Sequence, residues 1–174
     1  SYAAQAAPNF VVIDPEVRKQ RIITQIQDLA KAQGGAVLDD PGLVDEVANL
    51  VEFPVAVLGT FNKDYLRVPK EVLITAMREH QRYFSVVAPD GNLLPCFITI
   101  SNTRAADMEI IRAGNERVLA ARLSDAAYFF DHDLKQPLGA MVEGLKKVTY
   151  QEKLGTTFDK TMRVKSLSAY LAKL

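Results

Sequence analysis

The chain has 174 residues, 48% of them hydrophobic, a length that suits one domain of ordinary size, or one domain with part of another, built on a real core. Its 21 Lys and Arg balance 21 Asp and Glu, which excludes a globally basic nucleic-acid or membrane binder and leaves polyanion binding to a local patch. One cysteine, Cys96, excludes an intramolecular disulfide and a multi-cysteine zinc site, and with that a secreted disulfide scaffold.

The chain opens on Ser1 to Pro8 without an initiator methionine, and it shows neither a signal-peptide pattern nor an apolar run of membrane-spanning length. A cytoplasmic protein is therefore expected. Asp14 and Pro15 precede a helical spacing of Val17, Arg21, Ile22, Ile26 and Leu29 that predicts a helix over Glu16 to Gln33, stopped by Gly34 and Gly35. Asp40 as cap and Pro41 as first residue predict a second, shorter helix with Leu43, Val44, Val47, Leu50 and Val51 as its apolar stripe.

Pro54 interrupts that pattern, and Val55 to Leu58 is short and β-branched enough to be a strand ending at Gly59. Pro69 starts an amphipathic helix, with Val72, Leu73, Ala76, Met77 and His80 on its inner side, that leads straight into a strand over Arg82 to Ala88. Pro89, Asp90, Gly91 and Asn92 have tight-turn chemistry, and Leu93 to Ser101 completes a hairpin in which Pro95 implies an edge or a bulge. From Asp107 the chain turns helical, with Leu119, Leu123, Ala126 and Phe130 as one buried stripe. Pro137 ends that helix or opens the next, and Leu138, Met141, Val142 and Leu145 continue the apolar pattern. Thr156 and Asp159 form a capping box for a last helix, whose apolar pattern from Ser166 to Leu174 has no stop signal, as in a piece excised from a longer protein. The layout is α+β: a small mixed core flanked by helices.

Arg78, His80, Gln81 and Arg82 crowd the junction of helix and strand. Arg78 and Arg82, four residues apart, share a helix face and suit two successive phosphates, with Gln81 as a directional donor. Spacing describes a solvated helix face with His80 near its end at least as simply. Asn115 and Arg122, seven apart, also fall on one face, with Asp125 one turn beyond Arg122, a line that fits an RNA backbone or a partner domain as well as an intrahelical ion pair. His132, between Asp131 and Asp133, lacks the further histidines of a metal-dependent phosphohydrolase. Cys96 sits in an apolar strand and reads as a buried thiol. The glycines match neither the phosphate-binding loop nor the dinucleotide fingerprint.

Asn49 to Pro54, Val68 to Phe84, Leu94 to Ile98 with Ser101 and Asn102, Gly114 to Ala126 followed by Tyr128 to Phe130, and Lys153 to Thr156 with Asp159 and Lys160 occur in the order and spacing of one family. From about Val11 to Leu174 the chain resembles the β subunit of bacterial glycyl-tRNA synthetase. The first ten residues match no phrase of it and read as loop or added residues. The resemblance implies an internal fragment of a heterotetrameric ligase that attaches glycine to tRNA(Gly). It implies further that the α subunit holds ATP and glycine, that no cofactor sits in this fragment, and that the β subunit positions tRNA. It also implies an N-terminal helical segment over 1–50, a core over 51–131 similar to the B3/B4 module of phenylalanyl-tRNA synthetase, and over 132–174 the start of a truncated HD-type domain without its metal.

On that basis the expected partners are tRNA(Gly), the α subunit and the remaining β-subunit domains, with no membrane contact. The expected tRNA-contacting residues are Arg78, Gln81, Arg82, Asn102, Asn115, Arg117 and Arg122, with no catalytic or metal-binding residue. Two alternatives stay open, an editing-type hydrolase of mischarged tRNA and a structural assembly scaffold. The first needs a pocket holding a base, for which the chain offers His80 and carboxylates.

Overall fold

Two helices begin at prolines because each is preceded by an aspartate that can satisfy the first free amides. In this computed structural model, which describes residues 10–103 and 105–174, α1 (Pro15–Ala32) is capped by Asp14, whose Oδ1 accepts from the Glu16 N–H at 2.9 Å. α1 buries Ile22, Ile26 and Ala30. Past β1 (Ala36–Val37), α2 (Pro41–Leu50) is capped by Asp40, which accepts from the Leu43 N–H at 2.8 Å, and it buries Leu43, Val47 and Ala48. Arg18 fastens the pair by donating to the carbonyls of Ala48, Val12 and Ile13.

The sheet has the order β1-β3-β4-β2 and is antiparallel throughout, with β2 spanning Val55–Thr60, β3 Phe84–Val87 and β4 Leu93–Ser101. Two residues of β1 are too few to show an alternation, so periodicity does not predict this strand. Gly35 lets it close on β3, since a Cβ there would lie 2.6 Å from the Val87 carbonyl oxygen. β2 runs on past the expected end at Gly59 because that glycine stands opposite Phe97 in the ladder. A Cβ on Gly59 would overlap the Phe97 ring, which stacks on Tyr83 with centroids 4.6 Å apart. Pro95 lies in an inner strand, where a register shift between Ser85 and Val87 of the facing strand accommodates its missing donor.

Alternation along the sheet gives two buried faces. Phe84, Val86, Cys96 and Ile98 pack with Ile22, Ile26, Leu43 and Val47 of α1 and α2. On the opposite face lie the Tyr83–Phe97 stack and α4 (Met108–Asp133), tied down by two hydrogen bonds: Tyr83 Oη donates to Asn115 Oδ1 at 2.6 Å, and the Thr60 N–H donates to Glu116 Oε1 at 2.8 Å. α3 (Lys70–Gln81) follows a 3-10 turn (Lys63–Arg67) and buries Leu73, Ala76 and Met77.

Local departures from the expectations have packing causes. Pro69 takes the cap position rather than the first helical one, and His80, expected on the inner side of α3, is exposed along with Val72 because the buried stripe is narrower than the apolar pattern. On α4 the fully enclosed stripe is Leu119, Leu123 and Ala127, at spacings of four, while Ala126 and Phe130 are half-buried on its flank.

The chain divides into two compact units, Ser1–Tyr128 and Phe129–Leu174, with α4 running unbroken through the division. In the second unit α5 (Leu138–Gly144) and a 3-10 turn (Leu145–Lys147) lead to a hairpin of β5 (Thr149–Gln151) and β6 (Gly155–Thr156). α6 (Thr157–Leu171) then starts from the expected capping box, Asp159 N–H donating to Thr156 Oγ1 at 3.2 Å and Thr156 N–H to Asp159 Oδ2 at 2.7 Å. The architecture is the mixed α/β class expected. Gly59→Ala should lower stability by roughly 1–3 kcal/mol through overpacking against Phe97, read as a fall in the urea midpoint. An unchanged midpoint would contradict the close approach.

Candidate functional site

The chemistry at the end of α3 follows from how the helix stops. Arg82 occupies the left-handed region, φ 54° and ψ 40°, and its N–H bonds back to the Arg78 and Met77 carbonyls. This turns the chain sharply into β3, and Arg78, one turn back on the helix, and Arg82 both meet carboxylates of the α2 region. Arg78 Nε donates to Asp40 Oδ2 at 2.5 Å and its Nη1 to Glu79 Oε1 at 2.6 Å. Arg82 Nε donates to Glu46 Oε1 at 2.7 Å and its Nη1 to the Glu79 carbonyl at 2.9 Å. The two side chains do share a face, and carboxylates of α2 and α3 already occupy it. Arg78 holds the Asp40 carboxyl below its ordinary value, and Asp40 with Glu79 raises the arginine in turn. Gln81 is half-buried at the last residue of the helix.

The two expected asparagines are also engaged within the fold. Asn102 Oδ1 accepts from the N–H groups of Glu52 and Phe53 at 2.7 and 3.0 Å, and its amide donates to Glu52 Oε2 at 2.7 Å. It pins the loop ahead of β2 to the end of β4. Asn115 receives the Tyr83 hydroxyl and donates to the Ile111 carbonyl at 2.8 Å. Burial pushes the Tyr83 hydroxyl up to about 12, so it stays a donor at neutral pH. Nothing in their spacing signals these roles, because Tyr83 lies 32 positions from Asn115 and Glu52 lies 50 from Asn102.

Arg117 and Arg122 differ from the rest: both are exposed on α4 and make no ion pair among the described residues, and Arg122 does not pair with Asp125. Five residues apart, they point about 140° away from each other around the helix. The structure thus brings Arg78 with Arg82, and leaves Arg117 and Arg122 apart from them and from one another.

Use of cations separates the two units. In the first, most described Lys and Arg are committed to the fold: Lys19 to Glu16 and Asp45, Arg112 to Glu109, Lys70 to the Gly91 carbonyl, and Arg21 to the face of Phe53. Residues 129–174 carry eight Lys and Arg against five Asp and Glu, the rest of the chain thirteen against sixteen. All eight are exposed. Around the β5–β6 hairpin, Lys160 Nζ sits 4.4 Å over the Tyr150 ring and Arg163 Nη1 donates to the Leu154 carbonyl at 3.2 Å. A ring or a carbonyl fixes a cation without cancelling its charge, as a carboxylate would. This cluster was missed in the sequence because the hairpin that assembles it was not predicted.

A cleft of about 600 Å³ opens between α1, β1 and α2 over Phe84. Of the carboxylates lining it, Asp40 pairs with Arg78 and Asp45 with Lys19 at 2.9 Å, while Asp39 makes no ion pair among the described residues. His80 lines a shallower groove with Glu71 between α3 and α4. His132, at the end of α4, has Nδ1 3.7 Å from Asp133 Oδ1, and Cys96 is buried, which raises its thiol. No described helix is long and apolar enough to cross a membrane.

Residues 1–174 match the family model described as glycyl-tRNA synthetase beta subunit. The match takes in the first ten residues, which had been expected to fall outside it. A glycine–tRNA ligase beta subunit of Geobacter sulfurreducens is 53% identical over 173 residues, 99% of this chain and 25% of the relative. One of Geotalea daltonii is 54% identical over 172 residues, again 99% and 25%. One of Desulforamulus reducens is 52% identical over 164 residues, 94% and 24%. The chain spans about a quarter of the length of the curated relatives it matches.

The Asp40–Arg78 pair makes a pH prediction. Because the folded carboxyl lies below its ordinary value of 3.8, its stabilisation is complete above that value and is lost as pH falls through the folded one. Asp40→Asn keeps a capping group but loses the ion pair. It should be less stable by about 0.5–1 kcal/mol near neutrality, and the gap should close on acidification below 3.8. A gap constant with pH in urea titrations would contradict the pairing.

Proposed function

The chain belongs to the glycyl-tRNA synthetase beta subunit family, and from that premise we propose that it is a tRNA-supporting part of a glycine–tRNA ligase. In this reading the complete protein joins glycine to tRNA(Gly) at the expense of ATP, with the nucleotide and glycine site in the α subunit. This region makes no covalent bond. It grips the phosphate backbone and packs against neighbouring parts of the assembly.

One observation carries the reading: the basic excess of the second unit, with Lys160 and Arg163 held exposed at the hairpin by a ring and a carbonyl. Three residues apart, they share one face of α6, and Lys153 adds a third exposed cation in the hairpin turn. Such charges are what a backbone contact needs, since affinity for nucleic acid comes from displaced counterions and not from sequence. Arg117 and Arg122 are the further contacts we propose in the first unit. Arg78 and Arg82 serve the fold, because a phosphate would have to displace Asp40 and Glu46 from them.

In the complete α–β enzyme, Lys160→Glu with Arg163→Glu should raise the KM for tRNA about tenfold or more, leave the KM for glycine unchanged, and lower the slope of log affinity against log salt by about 2. An unchanged tRNA KM and salt slope would remove the hairpin from the tRNA path.

A further inference from the structure

The cleft of about 600 Å³ in the first unit has a feature that its apolar lining alone does not explain. Ala36, Val37 and Leu38 all line it, although successive strand residues point to opposite faces. The cleft thus follows the chain through β1 and on to Pro41. β1 is an edge of the sheet, bonded to β3 on one side only.

The ladder shows which backbone groups that edge presents. The Leu38 N–H donates to the Ser85 carbonyl at 2.9 Å, and the register pairs Val37 with Val86 and Ala36 with Val87. Hydrogen-bonded and non-bonded pairs alternate in an antiparallel ladder. Val37 and Val86 are therefore the non-bonded pair, and the Val37 N–H and C=O point away from β3, into the cleft. At opposite ends of the cleft stand Lys31 and Asp39, both exposed and without an ion pair among the described residues.

We propose that this cleft receives an extended polypeptide segment of a partner, which adds as a strand to the free edge of β1. It places apolar side chains between α1 and α2 and lies antiparallel, like every other pair in the sheet. Two charges set its direction. A basic residue near the segment's N-terminal end meets Asp39, and an acidic residue near its C-terminal end meets Lys31. Gly35 is part of the device: it brings the edge hard against β3.

The site is independent of the tRNA reading and is tested with protein alone. The probe is an acetylated, amidated heptapeptide with lysine first, valine second, fourth and sixth, threonine between them, and glutamate last. It is titrated into the 174-residue chain and followed by amide NMR. Shifts should centre on Val37 and Val44, and exchange of the Val37 amide should slow. N-methylation of the central valine's amide should weaken binding about tenfold. Asp39→Lys, which touches no fold contact, should weaken the original peptide and restore binding to one with its lysine and glutamate exchanged. Equal binding of the methylated peptide, shifts elsewhere on the chain, or no binding at millimolar peptide would each overturn the proposal.

Discussion

A single carboxylate, that of Asp40, sets the relation between the two helices on which the first unit depends. It closes the N-terminus of α2 through the Leu43 N–H and holds the Arg78 guanidinium at the end of α3. The Arg82–Glu46 pair repeats the link farther along α2. Arg82 adopts a left-handed turn, a conformation that a side-chain-bearing residue holds only when its surroundings over-determine it. Here they do: two backbone bonds, an ion pair and the start of β3 converge on that residue.

That arrangement decides what the cations of each unit are available for. An arginine that already satisfies a carboxylate brings no net charge to a polyanion, and pulling it away costs the pairing it leaves behind. In the first unit Lys19, Arg78, Arg82 and Arg112 are spent in this way. In the second unit the aromatic and carbonyl contacts of Lys160 and Arg163 position charge and leave it intact. A chain of zero net charge thus keeps a local basic excess in its second unit, where Lys146 pairs with Glu143 but Lys160 and Arg163 make no ion pair among the described residues.

Much of the fold is legible in local sequence because its signals are local. Asp14, Asp40 and the Thr156–Asp159 box act within three residues of themselves, and the stripes of α1 and α2 repeat with the helix period. The β3–β4 hairpin shows in its turn residues. Legibility fails where the partner is distant or the element is short. β1 exists because Gly35 permits contact with Val87, and the β5–β6 hairpin is too brief to show alternation. Arg78 and Arg82 were read correctly as sharing a face, yet nothing in the spacing reveals that Asp40 and Glu46 wait opposite them. Asn102 and Asn115 are likewise explained by Glu52 and Tyr83, which only the folded chain brings near. The family, by contrast, was visible from phrases spread along the whole chain, since it needs no knowledge of which side chain meets which.

The central claim is that Arg78 belongs to the fold and not to the proposed tRNA-contacting surface. A double-mutant cycle of Asp40→Ala and Arg78→Ala, read for both stability and tRNA affinity in the complete enzyme, tests it most directly. The account predicts that the two stability losses are non-additive, the second change costing little once the first is made, while tRNA affinity at fixed salt stays that of the wild type. Additive stability losses together with a weakened, less salt-dependent tRNA interaction in Arg78→Ala alone would contradict it.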